Sequence, residues 1–107
     1  MSKLYRISFA SQGRVYEVFA ESVVQSDLFG FLEISELKFG ARSAVVVDPS
    51  EERIKSEFEG VKRTLIPMHN VIRIDEVEKQ GVSKVSKMDG SNVTPFPASV
   101  YPQGSND

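Results

Sequence analysis

Few residues of this chain could do chemistry, and their spacing limits what that chemistry would be. His69 is the only histidine. A lone imidazole near a strand corner can act as a general base or donate to a phosphate, but only with other groups to position it. With no cysteine and no second histidine, it has nothing to share a metal with. Its setting in Pro67-Met68-His69-Asn70 instead suggests a hydrogen bond that caps a turn. The carboxylates read in the same way. Asp48, Glu51 and Glu52 stand where a helix start favours them, and Asp75, Glu76 and Glu78 lack the spacing of a calcium loop. Capping and solvation are their expected roles. No serine occupies a Gly-x-Ser-x-Gly elbow, and no glycine-rich phosphate loop is present. The expectation is a non-enzymatic protein without metal or cofactor.

Two binding chemistries remain. Lys62 and Arg63 enter one expected strand, Arg73 lies in the next, and Lys38 and Arg42 border a turn. A small barrel can gather these charges on one side. Beside exposed Tyr16, Phe19 or Phe31 they would suit single-stranded RNA, where backbone charge and base stacking supply affinity. Opposing this, thirteen acidic and ten basic residues up to Glu78 leave that part net −3. The whole chain is net −2 with a pI near 5.4, so no global field draws it to nucleic acid or an anionic membrane.

The second chemistry is apolar. Phe19, Phe29 and Phe31 exceed what one small core needs. Phe96, Val100 and Tyr101 stand in the proline-rich run Thr94 to Pro102, the form of a stiffened docking peptide. Phe31, Phe19, Phe96 and Tyr101 are therefore the candidate protein contacts, and Lys62, Arg63, Arg73, Lys38 and Arg42 the candidate RNA or anion contacts. A protein-interaction or regulatory module is the leading expectation. Single-stranded RNA binding is the alternative, and a homo-oligomer formed by strand-edge pairing is also compatible.

The elements that must position these residues follow mostly a period of two. Tyr5, Ile7 and Phe9 alternate with polar residues, Ser11-Gln12-Gly13 supplies a turn, and Val15 to Val23 resumes the alternation, which predicts a hairpin. Phe29 to Ile34 is again extended, with Gly30 allowing a sharp bend. The apolar phase then switches between Ile34 and Leu37, which predicts a β-bulge or strong bend near Ser35-Glu36. Gly40-Ala41-Arg42 reads as a turn and Ala44 to Val47 as a covered strand. A helix over 49–59 is signalled by Asp48 as cap, Pro49 at the first position, Ile54 and Phe58 on one face, and Gly60 as stop. Thr64 to Pro67 and Val71 to Val77 are the closing strands around the Pro-Met-His-Asn corner.

The 107 residues suit one domain with a modest core. From Gln80 onward, glycine, proline and serine interrupt every period. The predicted fold is mainly β: a small antiparallel SH3/Sm-like barrel of about five to six strands, one short inserted helix and a disordered tail over 80–107. No stretch approaches the roughly 18 apolar residues of a membrane span, and Met1 to Phe9 holds no signal-like apolar region, so a cytoplasmic location is expected.

The stretches Tyr5-Arg6-Ile7-Ser8-Phe9, Phe29-Gly30-Phe31-Leu32-Glu33-Ile34, Val47-Asp48-Pro49-Ser50-Glu51-Glu52 and Phe58 to His69 resemble a family of small bacterial proteins known as a domain of unknown function. The resemblance covers roughly Lys3 to Gln80. It implies a bacterial cytosolic protein and transfers no activity or site. The Ile-Pro-turn-strand closure is separately similar to that of Sm-like and SH3-like barrels, an architectural likeness that carries no function by itself.

Overall fold

A computed structural model describes residues 3–40 and 49–88. The expected turn at Gly40-Ala41-Arg42 runs into the segment outside these residues. Arg42, the strand over Ala44 to Val47 and the cap Asp48 also lie outside them, as do Phe96 and Tyr101.

Strands β1 (Tyr5–Ser11) and β2 (Arg14–Gln25) form the predicted hairpin, with Ser11 opposite Arg14 and Ile7 opposite Val18. Gln12 and Gly13 take φ of 53° and 77°, the two left-handed positions of a turn whose twist matches that of the flanking strands. Strand β3 (Phe31–Lys38) pairs with the second half of β2. It starts after Gly30, which takes φ 81° in the preceding turn and so is not a strand residue. The register is unchanged across Glu36, with Ala20 opposite Leu37 and Ser22 opposite Ser35, so of the two expected devices the bulge is absent and the bend is present. Within β3 it falls at Glu36, which adopts φ 58°. Through it the strand changes phase, and both Leu37 and Phe39 pack against the core.

Helix α1 (Pro49–Glu57) follows, and Ile54 and Phe58 face the core as predicted. Strand β4 (Arg63–Pro67) pairs with β3. A 3-10 turn over Met68–Asn70 leads into β5 (Val71–Glu76), which pairs with β1. The one register shift lies here: Ser8 faces Arg73 while Phe9 faces Val71, so Ile72 is the extra residue.

A sixth strand, β6 (Lys84–Lys87), pairs with the first half of β2. This corrects the expectation of disorder for residues 80–88. The strand carries one apolar residue, Val85, and its hold comes from backbone pairing and from α1. Ser50 Oγ accepts from Val85 N at 2.9 Å and donates to Val85 O at 3.3 Å. Glu51 is expected to support the cap at the helix start; it is buried there, accepting from Gly40 N at 3.3 Å and from Ser83 N at 3.0 Å.

The sheet order is β4-β3-β2-β1-β5, with β6 beside β2. Among the described residues the outer strands β4 and β5 do not pair with each other, so the sheet is open where a closed barrel was predicted. Ile7, Phe9, Tyr16, Val18, Ala20, Leu32, Ile34, Ile54 and Ile66 form the core. Phe19, on the opposite face of β2 from Val18 and Ala20, is also buried. A Cβ placed on Gly81 would lie 3.0 Å from the Phe19 ring, so the chain entering β6 crosses directly over it.

Candidate ligand-binding cleft

The basic residues do not form a free cluster. Lys38 Nζ lies 3.3 Å from Glu21, Arg63 Nη1 3.7 Å from Glu33, and Arg73 Nε 3.0 Å from Asp75. Arg6 also meets Asp75, at 2.7 Å. The Arg6 hydrogen bond, aided by Arg73, holds the Asp75 carboxyl below its ordinary range, and the same bond holds the Arg6 guanidinium above its own. Lys62 and Arg63 stand at the start of β4 and Arg73 on β5, the two ends of the strand path. Lys62 is exposed.

The expected apolar contacts also separate. Phe19 and Tyr16 are buried and offer no ring to a partner, and Phe31 is half-buried. Among the described residues the exposed ring is Phe29, at 99%. It sits in the turn between β2 and β3, which is held by Ser26 N to Phe31 O (3.0 Å), Phe31 N to Leu28 O (3.2 Å) and Leu28 N to Ser26 Oγ (3.0 Å). Met68 N donates to Gly30 O at 2.8 Å and ties this turn to the end of β4. Leu28 and Met68 are exposed as well. The number of phenylalanines predicts an exposed ring. Which of them is exposed depends on the turn and on the crossing at Gly81, which the alternation of residues does not encode.

On the other side of Pro67 a cleft of about 160 Å³ opens between the ends of β1, β4 and α1. Phe9 and Tyr16 stack at its base with ring centroids 5.0 Å apart, and Phe58 meets Tyr16 edge-on at 6.4 Å. The Tyr16 hydroxyl donates to Glu57, 3.0 Å from each carboxylate oxygen. Burial first, and this hydrogen bond second, push the Tyr16 hydroxyl above the ordinary phenolic range. Asn70 closes the corner by donating to Ala10 O at 3.0 Å, the role expected of His69. His69 is exposed beside a shallower groove that also holds Ile72 and Met88. The Tyr16–Glu57 pair was not legible in the sequence, because 41 positions separate the two residues.

Among the described residues, no cluster of three or more His, Cys, Asp or Glu side chains could hold a metal, and no helix is long and apolar enough to cross a membrane. Among the described residues, fold and cleft together define a small mainly β domain: an open antiparallel sheet, one helix and a cleft at one corner. The chain belongs to the family described as Domain of unknown function (DUF1820), whose model matches residues 3–98. That match runs past Gln80 and takes in β6. No curated protein and no solved structure matches the chain.

Proposed function

We propose that this domain is a non-catalytic protein-interaction module of SH3-like design, which takes a partner segment across the corner formed by the β2–β3 turn and the end of β4. The strand order, with a 3-10 turn linking β4 to β5, resembles that of SH3-like barrels. The observation that carries the reading is Phe29, fully exposed on a turn fixed by its own hydrogen bonds. A large exposed ring on a fixed backbone buries apolar area on binding and loses only its own rotamer freedom, as interface hot spots do.

Peptides selected from a displayed library against the purified chain test this. Phe29→Ala should weaken the selected peptides by about tenfold or more, since truncating a hot spot costs roughly 2 kcal/mol or more. The melting temperature should stay unchanged, because the ring makes little contact in the folded chain. Equal binding by both proteins would remove the reading.

The RNA alternative gains nothing from Lys38, Arg63 and Arg73, whose charges already face carboxylates. Filter binding of a random RNA pool at low salt should show no retention. Salt-sensitive retention, lost when Lys62, Arg63 and Arg73 are replaced together by glutamine, would place RNA first.

Self-pairing of copies is favoured by one observation: the outer strand β5 exposes Ile72 at 58% and Ile74 at 39%. Sedimentation of the wild type and of an Ile72→Lys, Ile74→Lys double variant would detect it as an oligomer that the variant loses.

A further inference from the structure

The base of the cleft beside Pro67 is aromatic, being formed by Phe9, Tyr16 and Phe58. Glu57 is the only charged side chain among the residues that line it; the others are apolar or neutral polar, Thr64 and Asn70 among them. The Tyr16 hydroxyl, itself on a residue only 4% exposed, fixes the Glu57 carboxylate by contact with both oxygens. An ionised carboxylate accepts about four hydrogen bonds, so one hydroxyl leaves most of its capacity to a ligand. Arg14, at the start of β2, acts on the Tyr16 hydroxyl but does not line the cleft.

A carboxylate beside the partly exposed Phe58 ring attracts a cation through charge and through that ring's quadrupole, and it repels an anion. The cleft, of about 160 Å³, is small and open to solvent, which suits a guanidinium or an ammonium whose stem leads out of it.

We propose that this cleft is a binding subsite for a compact organic cation, a primary ammonium or guanidinium group carried on a flexible stem. The proposal rests on the interaction-module reading only in making a partner's lysine or arginine one source of that group. A free aliphatic amine is the other source.

The test is a titration of the full chain, followed by NMR through the ring signals of Phe9, Tyr16 and Phe58. Three probes serve: a capped Gly-Lys-Gly peptide, its arginine counterpart, and n-butylamine. A capped Gly-norleucine-Gly peptide supplies the same stem without charge. Saturable shifts are expected with the cationic probes and not with norleucine. Glu57→Gln keeps the shape and the Tyr16 contact and should weaken binding by about tenfold or more, as expected for loss of one charge-assisted hydrogen bond. Phe58→Leu, which leaves the carboxylate, should weaken it less. Tighter binding of the peptides than of n-butylamine assigns the group to a peptide partner, and equal binding assigns it to free amines. Absence of saturable shifts, an equal response to norleucine, or unchanged affinity in Glu57→Gln would each overturn the proposal. None of these outcomes touches the Phe29 experiment, so the subsite and the module can fail separately.

Discussion

Burial pushes the Tyr16 hydroxyl above the ordinary phenolic range, and the hydrogen bond to Glu57 pushes in the same direction. Because the folded state favours the protonated form, this contribution to stability is complete below the ordinary value of 10.0 and is lost as pH rises through the higher folded value. Tyr16→Phe should therefore be less stable than wild type at neutral pH, by about 1 kcal/mol for one hydrogen bond, and the gap should close above pH 10. A pH-independent gap would mean that the phenol is not titrating in place. Asp75 behaves oppositely. Its folded value lies below 3.8, chiefly through the Arg6 hydrogen bond, so its contribution is present above that pH and is lost as pH falls through the folded value. Asp75→Asn should unfold more readily at neutral pH, and its melting curve should converge on that of wild type under strong acid. Neither pair could be read from residue types. Arg6 reaches Asp75 only through a register that joins positions 69 apart, and this is also why the count of basic residues suggested a cluster.

Elements governed by local signals were legible. The β1–β2 hairpin follows from alternation and Gly13, and α1 from its first-turn carboxylates and the Ile54–Phe58 spacing. Elements governed by coverage were not. Ile74 faces Ile7 as its pattern requires, yet β5 is an outer strand, so Ile7 is fully buried and Ile74 is 39% exposed. In chemical denaturation Ile7→Ala should cost about 2–5 kcal/mol, while Ile74→Ala should cost roughly 1. Equal large losses would show that something covers β5. Coverage also decides Glu51, which reads as a helix-start carboxylate but is buried beneath the chain entering β6. Glu51→Ala removes the acceptor of two backbone N–H groups and should cost about 2–5 kcal/mol, against under roughly 0.5 for exposed Glu52→Ala.

For the molecule as a whole, the decisive segment is the one that composition marks as a tail. Residues 80–88 lack periodicity because β6 does not supply the core with a face. It supplies backbone pairing to β2, an anchor for Ser50 and Glu51, and a cover for Phe19. Gly81 belongs to that cover: its missing side chain lets the backbone pass over the ring, and a Cβ there would meet Phe19 at 3.0 Å. Without this segment Phe19, now 3% exposed, returns to water, and the buried Glu51 loses the Ser83 N–H. Restoring one buried phenylalanine to solvent costs about 1.5–3 kcal/mol, and the lost hydrogen bond adds about 1 or more. At roughly 4–8 °C per kcal/mol for a domain of this size, a chain ending at Lys79 should melt at least about 10 °C below one ending at Met88. Its Phe19 should also become accessible, seen as new binding of a hydrophobic dye. Equal melting temperatures would mean that β6 adds nothing to the fold and that the domain ends where the alternation ends. A large drop would place the boundary beyond β6, inside the region matched by the family.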